Sequence, residues 1–230
     1  IKGYGKKKAI KNEVTSNGFN YDADDEEMIN DLSENVYMFS GAKVFQQTVE
    51  MSNSIIVNGK TLPYNKFRDV ANTIFEKYNK TWLKTEYQTA IGMSRSASKW
   101  VSVISSKDTH PYLKYIAVMD SHTCSICRPL DGIIAPVDSS FWTRNMPLNH
   151  FSCECVVEQL DEDDVNDEGG ITDEDYISSH VAQSSVTKNK MFDYNPGQLG
   201  EVFKSTGKDK HPYFVVPKKY SDLAKRNFNL

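Results

Sequence analysis

Apolar positions recur along the first half of the chain at helical spacing. Met28, Leu32, Val36 and Phe39, then Val44, Phe45, Val49 and Met51, follow one another at intervals of mostly three to five residues. Residues 26–54 therefore predict helix, with Asp24 or Asp25 as the cap and Gly41 as a break between two helices. Val57-Asn58-Gly59-Lys60 signals a turn. Residues 65–78 carry the strictest stripe: Phe67, Val70, Ala71, Ile74, Phe75 and Tyr78 stand at i, i+3, i+4, i+7, i+8 and i+11, a face expected to lie in the core. Helical patterning continues over 82–104, with Tyr87, Ala90, Ile91, Ala97, Trp100, Val101 and Ile104 expected inward. Gly92, Ser94, Ser96 and Ser98 are small enough to let a neighbour approach closely.

Pro111 ends the helical region, because it lacks an amide donor and fixes its own φ. Residues 112–119 and 153–160 then read as two strands, expected to pair antiparallel. Residues 161–172 are acidic and contain Gly169-Gly170, which reads as a linker. Thr172-x2-Asp175 predicts a boxed start for a helix over 173–183. Residues 192–197 form a turn, and 213–216 read as a short strand. The expected fold class is α+β, an N-terminal helical half packed on a small antiparallel sheet. The expected organisation is a basic polar arm (1–25), a helical domain with a Cys/His site (26–160), the acidic linker (161–172) and a C-terminal appendage (173–230) packing on the domain.

Composition changes this picture little. Hydrophobic content of 39% and charged content of 25% are ordinary for a globular chain. A net charge of −4 argues against a protein whose whole surface coats nucleic acid. The basic run Lys6-Lys7-Lys8 and the lysine-rich end from Lys204 to Arg226 allow weak, non-specific DNA contact, although solvated surface explains both more simply. No apolar run reaches the length of a membrane span, and no signal peptide is legible at the first residue, Ile1. A chain that does not begin with Met is expected to be a fragment or a processed product.

The cysteines change the picture most. All four lie between Cys124 and Cys155, as Cys124-x2-Cys127 and His150-x2-Cys153-x-Cys155. A C-x2-C turn faces two sulfurs to one point, and a second ligand group after a loop is the layout of a structural zinc site. Five donors compete for four places: Cys124, Cys127 and His150, with Cys153 or Cys155 completing the set. In extended backbone i and i+2 share a face, so the spacing does not choose between the last two. Two disulfides, or reduced cysteines without metal, are the alternatives. A catalytic zinc would need an open position and a carboxylate base, for which Glu154 and Asp120 are at hand. Phe141 and Trp142 are expected to cover the site from water, and His122 reads as a loop residue. Clustered cysteines suit a reducing cytoplasm. No phosphate loop, dinucleotide fingerprint, nucleophile elbow or paired acid and base stands out, so no catalytic residue and no enzymatic activity is expected.

Asp120-x2-Thr123-Cys124-x2-Cys127-x3-Asp131-Gly132, followed by Pro147-x2-His150-x2-Cys153-x-Cys155, resembles the phage Mu F-like minor head protein family over roughly residues 84–159. Thr85-Glu86 matches a Thr-Glu element that precedes the cysteine block in that family, although a helix surface pair is the simpler reading. The chain departs from the family pattern at Phe151-Ser152, where a Pro-Asn-like pair is usual, and at Glu154, where Arg is usual. The resemblance implies a structural role in head morphogenesis of a tailed phage or prophage, with a part in DNA packaging or release. It implies the portal or major capsid protein as partner, and a location in the virion head after assembly in the host cytoplasm. A zinc-dependent nuclease or toxin-like hydrolase, or a DNA-binding knuckle, is the alternative.

Overall fold

Helix α1 (Ala23–Asn53) is one unbroken rod of 31 residues. The computed structural model describes residues 23–120, 124–228 and 230, with side chains from Glu26 on. The N-terminal arm up to residue 22, with Lys6-Lys7-Lys8, and His122 lie outside the described residues. The break expected at Gly41 does not occur. Glycine weakens a helix interior by about 1 kcal/mol, and burial of Leu32, Val36, Phe39 and Phe45 on either side of it outweighs that. A two-residue hairpin follows, β1 (Ile56–Val57) against β2 (Lys60–Thr61). Its turn uses Asn58 and Gly59 at φ 51° and 74°, the left-handed pair that a tight hairpin demands.

Helix α2 (Tyr64–Glu76) passes through a π-helical turn at Lys77–Thr81 into α3 (Trp82–Ser105). This rod runs antiparallel to α1. Lys43 pairs with Glu86, Gln47 meets Asn79, and Glu50 pairs with Lys77. One more turn brings the end of α1 level with Ile74, and Ile74 is the one residue that α2 buries. The first turns of α2 overhang. The stripe expected to be core is therefore buried only at Ile74 and Tyr78, while Val70 and Phe75 face solvent. Tyr87 and Ile104, expected inward on α3, are also exposed. The inward face of α3 runs instead through Ala90, Met93, Ala97, Trp100 and Val103. Small residues do permit close approach here: a Cβ on Gly92 would lie 2.8 Å from the Leu148 side chain. Glu86 is buried rather than paired at the surface. Its carboxylate accepts from Lys43 Nζ at 2.6 and 2.7 Å and from the Tyr213 hydroxyl at 3.0 Å.

The sheet has the order β4–β3–β5, all antiparallel: β3 (Tyr112–Ile116) lies between β4 (Ile134–Pro136) and β5 (Val156–Leu160). The expected pairing of the two longer strands is present, and β4 is an addition. Phe141 and Trp142 belong to the short helix α4 (Phe141–Asn145) and are buried in the core of this lobe together with Cys127. The acidic stretch carries helix α5 (Glu162–Asp167), whose start is boxed by Asp161 and Asp164 and whose Val165 packs on Ile134 and Leu160. Helix α6 (Glu174–Ser185) begins as expected, but Asp173 is its cap, and the Thr172 hydroxyl accepts from Ile134 N instead.

The tail returns to α1 through the short helix α7 (Pro196–Leu199). Asn35 holds it there, accepting from the amides of Val202 and Phe203 and donating to the Phe203 carbonyl. Residues 212–214 form a 3-10 turn where a strand was expected. Pro212 offers no amide to a ladder, His211 accepts from Tyr213 N, and Phe39 stacks on Phe203. A last helix, α8 (Ser221–Phe228), closes over Phe45.

Candidate metal centre

The sulfur cluster forms where the sheet end meets two loops. Tyr115 pins the first loop to β3 through both backbone groups, donating to Ile133 O and accepting from Gly132 N. Gly132 stands at φ 76°, a conformation open to glycine, and Asp131 accepts from Ala117 N at 2.8 Å. The Asp-Gly element is thus the fastener that sets the C-x2-C turn against the strand. The turn itself is tightened by Arg128 N donating to Cys124 O, and it leads into a 3-10 turn at Arg128–Leu130. The second loop is held by Asn149, fully buried, whose amide nitrogen donates to the Tyr115 hydroxyl at 2.9 Å and to Asn145 O at 3.2 Å. Ser152 at φ 57° then turns the chain so that Cys153 N meets His150 O.

Cys127 is the centre. Cys124, Cys127 and His150 offer donor atoms within 4.8 Å of one another, and so do Cys127, Cys153 and Cys155. All five donors expected from the sequence therefore converge on one buried sulfur. None of the four cysteines is bonded to another. Cys127 and Cys153 hold their sulfurs 3.7 Å apart. Tetrahedral zinc with bonds of about 2.3 Å sets two sulfurs about 3.8 Å apart, so this spacing fits the ion. The His150 ring fits as well: Nδ1 donates to Phe151 O at 2.7 Å, which leaves Nε2 with its lone pair free to ligate.

Charge in the cluster is concentrated. The Cys153 thiol is pushed down to about 3 because the Cys127 and Cys155 thiols both donate to it. Cys127 is pushed up by its bonds to Cys153 and Cys155 and by burial. Burial, with Cys127 beside it, raises the Tyr115 hydroxyl well above its ordinary range. Three thiols crowd one small space, an arrangement that a divalent cation would relieve by taking each as a thiolate. Lys188 lies close enough for Cys127 to favour its charged form. Burial nonetheless lowers it to about 8, against the pull of Asp193, which also pairs with Arg144. An open cleft of about 350 Å³ borders the cluster and is lined by Asp120 and Glu154 as well as by Cys124, Cys127, His150 and Cys155.

Sequence reading did not single out Tyr115, Asn149 or Lys188. A tyrosine in a strand and an asparagine before His150 carry a faint signal in their places next to the motifs. A lysine in a polar loop carries none.

Residues 43–158 match the family model described as Phage Mu protein F like protein. The putative capsid assembly protein F of Escherichia phage Mu is 30% identical over 78 residues, 34% of this chain and 18% of that protein. The Mu-like prophage FluMu F protein of Haemophilus influenzae is 36% identical over 90 residues, 39% of this chain and 21% of that protein. The chain spans about a fifth of the length of these curated relatives. No solved structure matches it. The family match runs from within α1 to within β5, taking in the central rod and the whole cysteine cluster, and by it the chain belongs to the phage Mu protein F-like family.

Proposed function

We propose that this chain is a zinc-clipped structural module of a tailed phage or prophage minor head protein. It acts in head morphogenesis in contact with the portal or major capsid protein. The observation that carries the proposal is the convergence of Cys124, His150, Cys153 and Cys155 on Cys127, inside the family-matched residues. A metal held there cross-links two loops that have little ladder of their own and presents them as one rigid surface. The name of the Escherichia phage Mu relative speaks of capsid assembly, which supports the role, and a location in the virion head goes with it. Among the described residues no helix is long and apolar enough to cross a membrane. The lysine-rich tail adds weak DNA contact that salt removes. The test is metal analysis of protein purified under reducing conditions, with co-sedimentation against portal and capsid protein. One zinc per chain and binding to either partner are expected. Metal-free protein whose stability ignores a chelator would falsify the zinc clip.

A second reading has one observation in its favour. Asp120 and Glu154 line the open cleft beside the cluster, where a hydrolytic zinc site would hold its base. Metal-dependent cleavage of DNA that Glu154→Gln abolishes would move the function to this reading.

A further inference from the structure

The sheet ends on β5, and the outer edge of that strand is open. Tyr115 turns its amide and carbonyl to Ile133 and Gly132, on the β4 side. Backbone groups alternate along a strand, so Tyr112, Lys114 and Ile116 turn theirs to Leu160, Glu158 and Val156. Val157 and Gln159 of β5 therefore point their amides and carbonyls away from β3. Neither backbone has a partner there among the described residues. Val157 is only 7% exposed. A buried backbone group that forgoes its hydrogen bond is costly, so these groups call for water or a further strand. β5 carries no proline and no lysine, the residues that commonly blunt such an edge.

The open edge borders a groove. A cavity of about 650 Å³ lies between α3 and β5, lined by Arg95, Ser98 and Lys99 on one side and by Glu154, Val156 and Val157 on the other. Ties at both ends fix its walls. Gln159 donates to the Val103 carbonyl at 3.1 Å and accepts from the Ser106 hydroxyl at 3.0 Å, and further back on α3 Ser96 donates to the Pro147 carbonyl. Arg95 already has a partner, whereas Lys99 has no hydrogen bond or ion pair among the described residues, so Lys99 is the cation on offer. The buried Ser98 hydroxyl also lacks a partner among them. Val157 packs with Trp100 and Val103 and so faces α3, which puts Val156, 54% exposed, on the opposite face. A strand laid beside Val157 and Gln159 would alternate in the same way. Every second side chain would turn to Lys99 and the others to Val156, so the fitting occupant alternates carboxylates with apolar side chains.

We infer that β5 and α3 form a docking groove for an extended acidic segment of a partner protein, which joins the sheet as a further strand on the open edge of β5. Main-chain hydrogen bonds to Val157 and Gln159 supply the affinity, and the alternating side chains supply the selectivity. This deepens the assembly role proposed above by giving it a mode of contact. It rests on that role for the origin of the partner, while the groove itself is built by α3 and the β3–β5 ladder.

The probe is a fluorescein-labelled hexapeptide of alternating aspartate and valine. It is titrated with the full chain at about 0.15 M salt, where charges more than about 8 Å apart are largely screened. Fluorescence anisotropy is expected to show saturable binding. Lysine in place of aspartate is expected to weaken binding about fivefold, and Lys99→Glu to reverse that order. Two further peptides are N-methylated, one on its aspartate amides and the other on its valine amides. One of them is expected to bind about tenfold more weakly and the other like the parent, because only amides that face β5 bond to it. Loss at the aspartates marks an antiparallel strand, and loss at the valines a parallel one. Amide exchange followed by NMR gives a second readout. Val156, Glu158 and Leu160 are expected to be protected in the free protein, and Val157 and Gln159 only with peptide bound. Absence of binding, equal effects of the two methylations, or an unchanged preference in Lys99→Glu overturns the inference. So does protection of Val157 and Gln159 without peptide, which would mean that a second copy of the chain covers the edge.

Zinc is supplied in the buffer and measured in the dialysed samples, which separates this inference from the clip. Zinc-loaded protein that ignores the peptide overturns the inference and leaves the clip. Metal-free protein that binds the peptide overturns the clip and leaves the inference. Protein that holds neither overturns both.

Discussion

Under the zinc clip proposed above, the helical body and the cysteine lobe of this molecule are closed by different means. In the body, α1 lies along α3 over several turns, and the tail lays Phe203, Tyr213 and Phe214 across Phe39, so burial, with the buried polar contacts of Asn35 and Glu86, closes it. In the lobe, three strands of three to five residues and two long loops surround a core in which Cys127 is itself a buried member. The zinc clip proposed above would add a metal cross-link between the two loops to whatever burial provides. If the proposed clip forms, Cys127 is core residue and ligand at once. Removing it should affect one region and spare the other.

That contrast can be broken most severely at Cys127. Structural zinc sites contribute about 10–16 kcal/mol of apparent binding energy, as much as or more than a whole domain's net stability of about 5–15 kcal/mol. Cys127→Ser is therefore expected to unfold the lobe while the body persists. Hydrogen exchange followed by mass spectrometry reads this directly. Amides of β3, β4 and β5 should lose protection while those of α1 and α3 keep it. Uniform loss across both regions would mean that the body depends on the lobe and that the contrast is false.

How much of each region the sequence discloses follows from the same contrast. The body's rods are legible because burial has a period. Periodicity does not state how long the partner is, however, so Val70 and Phe75 read as core on a helix that outruns α1. Gly41 reads as a break because propensity is local, whereas the packing that overrides it involves Phe39 and the distant Phe203. In the lobe the five donors are legible from spacing, since ligand chemistry restricts residue type. Their convergence on Cys127, and the parts played by Tyr115 and Asn149, depend on hydrogen bonds between residues 34 apart that no local pattern records. β4 is hidden for another reason: three residues ending in Pro136 are too few to show alternation.

A smaller effect sharpens the body's side of the comparison. Lys43 and Glu86 are both buried, with side-chain exposures of 3% and 7%. Removing one member of such a pair strands the other charge, at a cost of about 3–5 kcal/mol. Lys43→Met is expected to lower the unfolding free energy read from a urea titration by that amount, with no change in zinc content. Adding Glu86→Gln should recover part of the loss, because the neutral amide can keep the Tyr213 hydroxyl as a partner. A variant that loses zinc along with stability would show that the two regions are coupled through α3.

The smallest expected effect lies at Ser152, in the turn between His150 and Cys153. Its φ of 57° is left-handed, where a side chain costs about 1–2 kcal/mol. Asn58, at φ 51° in the hairpin, meets the same demand with a residue type that tolerates it. Ser152→Gly removes the steric cost but gives the unfolded chain more freedom, worth about 0.5–1 kcal/mol in the other direction. The net gain expected is about 0.5–1 kcal/mol, confined to the lobe. Thermal melts of the variant should show it in zinc-loaded protein, where the ligands hold the turn in its left-handed form. With a chelator present the gain should vanish, because a lobe that is already open has no strained turn to relieve. A gain that survives chelation would mean that the turn is built without metal, and that burial closes the lobe as it closes the body.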